Sequence, residues 1–136
     1  MGDLLNNPYF ATAANYAVTG LAMIVFLSLF ELVTRYQVWE ELKKGNLAVA
    51  MATGGKIFGI ANIFRYSISE HVSIGQSLIW GTFGYVLLLI SYFIFEFMTP
   101  SYKIDDEIAK GNLAIGFIAM MISIGFSYVI GASLVR

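Results

Sequence analysis

Four long apolar stretches, separated by short polar segments, dominate the pattern of hydrophobic and polar positions along the chain. They run approximately over residues 9–34, 46–68, 74–97 and 112–135. At about 1.5 Å per residue, each stretch can cross a hydrocarbon core about 30 Å thick. An apolar segment in lipid must satisfy its own backbone hydrogen bonds, so each stretch is predicted to be a helix. The pattern predicts an all-α, integral membrane four-helix protein.

The second half of the chain repeats the first half with one inserted residue. Residues 30–48 align with residues 95–114, and the identical pairs are Glu31/Glu96, Thr34/Thr99, Tyr36/Tyr102, Glu41/Glu107, Lys44/Lys110, Gly45/Gly111 and Asn46/Asn112. This series predicts two tandem transmembrane hairpins, residues 9–68 and 74–135, in a single membrane domain of residues 1–136. Because each hairpin has two spans, both enter the membrane from the same side. We therefore expect a parallel repeat about an axis along the membrane normal.

Composition and charge exclude several classes of protein. The chain is 58% hydrophobic and 12% charged, whereas a soluble domain carries roughly a quarter charged residues. With a net charge of −1 it has no basic field for a nucleic acid, so the bilayer is the expected partner. It has no cysteine and a single histidine, His71, without companion ligands. Neither a metal site nor a cofactor is predicted.

The basic residues predict the orientation. The first connection carries Arg35, Lys43 and Lys44 and the third carries Lys103 and Lys110, whereas the second, residues 69–73, has no lysine or arginine. Basic residues in short loops favour the cytoplasm. We therefore expect the first and third connections inside and both termini outside the cytoplasm.

A signature occurs twice, at residues 41–48 and 107–114: Glu-Leu/Ile-x-Lys-Gly-Asn-Leu-Ala, entering a glycine-spaced helix. At these residues the chain resembles the YjfL/YshE family of small bacterial and archaeal inner-membrane proteins, over nearly its whole length. The resemblance implies an inner (plasma) membrane location and an association with envelope-stress functions. It implies no chemistry, because that family is a domain of unknown function.

Lys56 is the strongest candidate for a functional residue. It lies ten residues past Asn46, about 15 Å along the helix and near the bilayer midplane. A lysine there costs roughly 2.5–3.5 kcal/mol on insertion scales. Lys56 could line a pore with Asn62 and Arg65; alternatively, it snorkels or pairs with a carboxylate. Its counterpart in the repeat is Ile122, so the charge belongs to one hairpin.

Two duplicated features lie near the predicted inner ends of the helices. Glu31 and Glu96 are candidate inner-mouth carboxylates; alternatively, they hydrogen-bond the start of an adjacent helix that Asn46 or Asn112 caps. Both Gly-Asn pairs are predicted to be helix caps. They are Gly45-Asn46 and Gly111-Asn112. A further set shares small side chains at four-residue spacing and is predicted to pack helices: Gly55, Gly59, Ala119, Ser123, Ser127 and Gly131. Because four thin helices bury little alone, we expect a homo-oligomer.

Two non-enzymatic functions fit these observations. The sequence has no catalytic triad and no nucleophilic cysteine, so no enzyme is expected. We favour a homo-oligomeric channel or transport-like pathway with an intramembrane lysine. The alternative is a membrane scaffold in an envelope-stress assembly, whose charged loop at Asp105, Asp106 and Glu107 recruits a cytosolic protein.

Overall fold

The computed structural model describes residues 6–32, 34, 37–70, 73–97 and 103–134, without the side chains of Glu70, Glu96 and Phe97. In these residues the chain forms four long helices and two short ones. They are α1 (Pro8–Leu32), α2 (Val38–Lys43), α3 (Leu47–Glu70), α4 (Ile74–Phe97), α5 (Ile104–Ala109) and α6 (Leu113–Ser133). The four long helices have the length and composition of membrane spans. The predicted all-α class with four spans is confirmed.

The two short helices, α2 and α5, occupy segments that the sequence analysis treated as loops. Each turns an apolar side toward the bundle: Val38 on α2 is buried, and Ile104 and Ile108 on α5 are fully buried. These side chains pack with Ala48 and Val49 near the start of α3. Both short helices therefore cover one end of the bundle, which we call the charged end; the end where α3 connects to α4 is the opposite end.

Helices α3 and α6 pack side by side, and they run in the same direction. A Cβ atom added to Gly116 would lie 2.9 Å from the Cα atom of Ala48, and one added to Gly55 would lie 2.7 Å from the Cα atom of Met120. The contacts thus advance along both helices together. Only a residue without a side chain permits this approach of two backbones, so the glycines determine where α3 and α6 meet.

Helix α1 is the least enclosed of the four spans. Six percent of its most apolar window is buried, against 61% for α3. Its attachment includes Phe26, whose ring stacks on that of Tyr85 at 4.4 Å between centroids and whose carbonyl accepts a hydrogen bond of 2.7 Å from the Tyr85 hydroxyl. Farther from the charged end, an apolar groove of about 600 Å³ separates α1 from α3 at Ile57 and Ile60.

Candidate functional site at the Lys56 cluster

The Lys56 side chain is 3% exposed, and its ammonium lies nearer the charged end than its Cα position implies. Side chains on a helix lean toward the helix N-terminus, which for α3 is the charged end. The Nζ atom donates a hydrogen bond of 3.2 Å to Oγ1 of Thr34, two residues past the last residue of α1, Leu32. The ammonium thus lies toward the charged end, and its depth in the bilayer stays a prediction. Lys56 has the geometry of a snorkelling lysine.

Two aromatic rings face the Lys56 ammonium. Nζ lies 4.8 Å from the ring centre of Phe30 and 5.0 Å from that of Tyr92. The two rings meet edge to face with their centres 5.7 Å apart. A desolvated ammonium over an aromatic face gains about 2 kcal/mol. The ammonium of α3 is thus held by residues of α1 and α4 and by Thr34.

Tyr92 links this charge to a buried carboxylate. Its hydroxyl donates a hydrogen bond of 2.7 Å to Oδ1 of Asp105, which lies on α5 and is 1% exposed. We call Phe30, Thr34, Lys56, Tyr92 and Asp105 the Lys56 cluster. It joins three long helices to one short helix through polar contacts, in a place where a polar group without a partner is costly.

A further hydroxyl lies one helical turn from Lys56. Thr53 is 8% exposed, and its Oγ1 atom has no hydrogen-bond partner within the described part of the chain. Residues three apart on a helix are surface neighbours, so Thr53 and Lys56 project from adjacent positions of α3. Buried hydroxyls normally have partners, and Thr53 therefore gives the cluster an unused hydrogen-bonding group.

A cavity of about 750 Å³ lies at the charged end, between the last turns of α1 and the start of α2. It is lined by Ser28, Leu29, Glu31, Leu32, Thr34, Gln37, Val38, Trp39 and Glu40. Thr34 therefore borders the cavity and also contacts Lys56. Glu31, predicted to be an inner-mouth carboxylate, lines this cavity, whereas the side chain of Glu96 and all of His71 lie outside the described residues.

The two Gly-Asn turns at the charged end have the same local geometry. Gly45 has φ 79° and Gly111 has φ 86°, values that favour glycine because a Cβ atom is strained there. The side-chain oxygens of Asn46 and Asn112 each accept a hydrogen bond of 3.3 Å from the backbone nitrogen three residues later. Each asparagine thus satisfies a donor that the first helical turn leaves free.

Each asparagine also binds a glutamate of the preceding short helix. The amide of Asn46 donates to Glu41 at 3.1 Å, and that of Asn112 donates to Glu107 at 3.0 Å. These hydrogen bonds, reinforced by Lys44 and Lys110, hold the pKa of both carboxyls below the usual value. The partners of these asparagines are thus Glu41 and Glu107, which the sequence analysis identified as a repeated pair but did not connect with the asparagines.

Asn62 and Arg65 lie away from the Lys56 cluster. Asn62 is 5% exposed, and its amide donates a hydrogen bond of 3.0 Å to Oγ of Ser127 on α6. Nε of Arg65 donates to Oδ1 of Asn62 at 3.2 Å. Six residues separate Asn62 from Lys56, a rotation of about 240° around a helix. Lys56 faces α1 and α4 while Asn62 faces α6, so these residues do not line one path.

The predicted packing residues meet within one chain. A Cβ atom on Gly59 would lie 3.1 Å from the carbonyl oxygen of Ser123, and Gly55 meets Met120 as described above. The small residues on α6 are buried, and they are Ala119, Ser123, Ser127 and Gly131. Because α3 and α6 cover these faces, they are not free to contact a second copy.

Four apolar spans, two capped turns and an enclosed lysine define a small multi-pass membrane protein. Among the described residues, no three histidines or carboxylates come together in a way that could hold a metal ion. The chain belongs to the family described as Domain of Unknown Function (DUF350), whose model matches residues 3–134. The resemblance recognised in the doubled signature is confirmed.

Two relatives illustrate the family. The transmembrane protein YshE of Bacillus subtilis is 57% identical over 134 residues, which cover 98% of this chain and 100% of the relative. The inner membrane protein YjfL of Escherichia coli strain K12 is 26% identical over 102 residues, which cover 74% of this chain and 76% of the relative. No solved structure shows significant similarity to this chain.

Proposed function

We propose that this chain is an inner-membrane protein that forms, as a homo-oligomer, a channel or transport-like pathway with Lys56 as its gate. The observation that carries the proposal is the position of the Lys56 ammonium, which contacts Thr34, one of the residues that line the cavity at the charged end. The name of the relative YjfL, an inner membrane protein, supports the location.

The path is closed beyond Lys56 in this conformation. On the side of the lysine away from the charged end, the groove between α1 and α3 is lined by apolar residues such as Leu27, Ile57 and Ile60. An ion cannot leave water for such a lining without a large desolvation penalty. In this proposal, the cavity at the charged end, which is lined in part by Glu31 and Glu40, and the apolar groove are the two sides of a closed gate.

Movement of α1 is the simplest way to open this gate. The helix buries little of its surface, and Lys56 contacts both Phe30 on it and Thr34 just past its end. Displacing α1 would break these contacts and join the cavity to the groove. Because Lys56 places a positive charge at the junction, the open path would disfavour cations.

Ion flux from liposomes tests the gate. Lys56→Met removes the fixed charge, and we expect the ratio of K⁺ to Cl⁻ flux to rise about a hundredfold. One unit charge at about 10 Å is worth 1–2 kcal/mol at an effective dielectric constant of 20, and it acts with opposite sign on the two ions. Lys43→Met is the matched control, because Lys43 is exposed on α2; its ratio should remain that of the wild type. Absence of flux from the wild type, or an unchanged ratio in Lys56→Met, would contradict the gate.

The scaffold alternative is favoured by one observation, the 63% exposed Trp39 on α2. The proposed recruiting loop needs a correction, because Asp105 is buried against Tyr92 and Glu107 binds Asn112. Asp106 is the exposed acid there. Under this alternative, Trp39→Ala and Asp106→Lys should release a cytosolic protein from a pull-down, and its retention by both variants would count against a scaffold.

The proposal includes a parallel repeat with the charged end in the cytoplasm. The identical turns and the common direction of α3 and α6 support it. Because the natural chain has no cysteine, single cysteines can be labelled without background. Lys43→Cys should be protected from an impermeant maleimide in intact cells, whereas Ser73→Cys should react. The reverse result would place both termini inside.

A further inference from the structure

We infer that Arg65 binds the phosphate of a membrane phospholipid at the opposite end of the bundle. The inference concerns a different part of the molecule from the proposed gate. It holds whether or not the chain conducts ions, and it does not depend on which leaflet faces the opposite end.

The guanidinium of Arg65 is drawn into the bilayer. Arg65 lies five residues before the last residue of α3, Glu70, which corresponds to about 7.5 Å. An arginine near a helix end usually extends toward the interface. Here Nε donates instead to Asn62, about one turn farther from the helix end. The charge therefore lies farther from the end of α3 than an extended side chain would place it.

A series of contacts fixes the guanidinium. Asn62, which accepts from Nε, donates in turn to Oγ of Ser127, and the Ser127 hydroxyl donates to the carbonyl of Ile124 at 2.6 Å. The guanidinium carbon lies 4.4 Å from the ring centre of Tyr66. These contacts, which end in the core between α3 and α6, hold the plane of the guanidinium in place. Its orientation is thus set before any ligand arrives, which lowers the entropy lost on binding.

The same contacts leave the two terminal amino groups of Arg65 available. Among the described residues its hydrogen bond uses Nε and its ring contact uses a face of the guanidinium. The ion pairs within the described ranges, Lys43–Glu40, Lys44–Glu41 and Lys110–Glu107, all lie at the charged end. An arginine charge below the membrane interface is unfavourable without a partner. An anion from outside the described chain is therefore the expected partner, and a guanidinium matches a phosphate with two parallel hydrogen bonds.

The surface beside Arg65 fits the rest of a lipid. A groove of about 240 Å³ is lined by Phe58, Ala61, Asn62, Arg65 and Tyr128. Ala61 and Phe58 precede Arg65 by about one and two helical turns, so the groove runs from the charge toward the bilayer centre. Phe58 is 46% exposed and Tyr128 is 45% exposed. A phosphate at Arg65 would thus place the attached acyl chain on these apolar side chains, an arrangement that a free phosphate or a carboxylate of a second copy would not use.

Native mass spectrometry of the full-length protein in detergent tests this site. The probes are dioleoyl phosphatidylglycerol, dioleoyl phosphatidylethanolamine and dioleoylglycerol, which has the same acyl chains without a phosphate. We expect both phospholipids to bind at least about tenfold more tightly than dioleoylglycerol, since hydrogen bonds to a charged group carry this much affinity. Inorganic phosphate at millimolar concentration should not displace the phospholipids, because it lacks the acyl chain.

The decisive variant is Arg65→Gln, which should lower phospholipid affinity to that of dioleoylglycerol. Lys44→Gln, which removes an exposed charge at the charged end, is the control and should bind like the wild type. Asn62→Asp is a second variant that retains Arg65 and supplies a carboxylate beside it; we expect it also to lose phospholipid preference. It keeps the inference testable if Arg65→Gln fails to fold.

Three results would overturn the inference. Equal binding of dioleoylglycerol and the phospholipids would show that no phosphate is recognised. Wild-type affinity in folded Arg65→Gln would show that Arg65 does not bind it. Loss of self-association in Arg65→Gln with unchanged lipid binding would identify a second copy of the chain, and not a phospholipid, as the partner of Arg65.

Discussion

The two Gly-Asn turns are alike, but the helices that follow them are not. Asn46 and Asn112 make the same cap and the same glutamate contact. Ten residues later, α3 has Lys56 where the corresponding position in α6 is Ile122. Lys56 is enclosed, whereas Ile122 borders an apolar groove on the outer side of α6. The duplicated Gly-Asn turns build the entry into each helix, whereas Lys56, which is not duplicated, lies at the centre of the polar cluster.

The surroundings of the two helices explain this difference. In α3, 61% of the most apolar window is buried, against 28% in α6. Helix α3 packs against α1, α4 and α6, whereas α6 packs mainly against α3 and α4. A polar side chain finds partners on nearly every side of α3, but on α6 many positions face lipid. One signature thus begins both a central helix and a peripheral one.

The largest expected effect on the free energy of unfolding comes from replacing Gly55 of α3 by the residue at the equivalent position of α6, which is a methionine. Gly55 corresponds to Met121, which is 45% exposed, whereas a Cβ atom at Gly55 meets the backbone of Met120 at 2.7 Å. Gly55→Met should lower the free energy of unfolding by about 3 kcal/mol or more, because a backbone must move. Unfolding by sodium dodecyl sulfate in mixed micelles, followed by tryptophan fluorescence, measures this.

The control for that variant is the neighbouring glycine. Gly54 has no atom within 4 Å of an added Cβ, so Gly54→Met should be neutral or stabilising by up to about 1 kcal/mol, from helix propensity. Equal losses in Gly54→Met and Gly55→Met would show that the α3–α6 contact does not set the stability.

A smaller effect should distinguish the two turns. Besides the shared contacts, the Asn46 amide donates to the carbonyls of Ile108 and Ala109 at 3.3 and 2.9 Å. It therefore ties the first turn to the end of α5, whereas within the described residues the Asn112 amide donates only to Glu107, in its own turn. We expect Asn46→Ala to lose about 2 kcal/mol and Asn112→Ala about 1 kcal/mol. Identical losses in the same unfolding assay would mean that the bonds to α5 contribute nothing.

The smallest expected effect is a loss of folding stability at acidic pH. The pKa of Glu41 is lowered mainly by the hydrogen bond from Asn46, and that of Glu107 by the bond from Asn112. A carboxyl whose pKa is lower in the folded state than in the unfolded state stabilises the fold. This contribution is fully present above the unfolded-state pKa of about 4.3, and it is lost as the pH falls through the folded-state pKa. Unfolding measured from pH 7 to pH 3 should therefore show a decline below about pH 4.3.

Matched variants test whether Glu41 and Glu107 cause this decline in stability at low pH. Glu41→Gln and Glu107→Gln should each flatten the acid dependence by a similar amount, because both side chains are half-buried and have equivalent partners. Glu40→Gln, at the exposed partner of Lys43, should leave the curve unchanged. An undiminished decline in the double variant Glu41→Gln/Glu107→Gln would assign it to other carboxyls.

The spans could be predicted from sequence because the bilayer imposes a length on each apolar run. The predicted third span, residues 74–97, has the bounds of α4, and the predicted second span, 46–68, differs from α3 by one or two residues at each end. The short helices α2 and α5 were missed because six residues with several charges look like a solvated loop. Their apolar positions, such as Ile104 and Ile108, are too few to reveal a period.

The candidate site was predictable only in part. Lys56 stands out in an apolar run, but its contacts with Thr34 and Tyr92 depend on how α1, α3 and α4 pack, which no local pattern contains. Asp105 was misjudged as a solvated acid because its neighbours are charged; its burial follows from the packing of α5. Asn62 and Arg65 are neighbours at helical spacing, but the direction in which they face became visible only with α6 in place.

The contact between α3 and α6 also affects how the chain is made. Asn62 and Ser127 are 65 residues apart, so at about 5–20 residues per second a ribosome needs roughly 3 to 13 s to produce the second after the first. During this interval the Asn62 amide and the glycine face of α3 lack their partner helix inside the membrane. Insertion machinery or lipid must cover them meanwhile, and a nascent chain arrested before α6 should be a preferred substrate for membrane proteases.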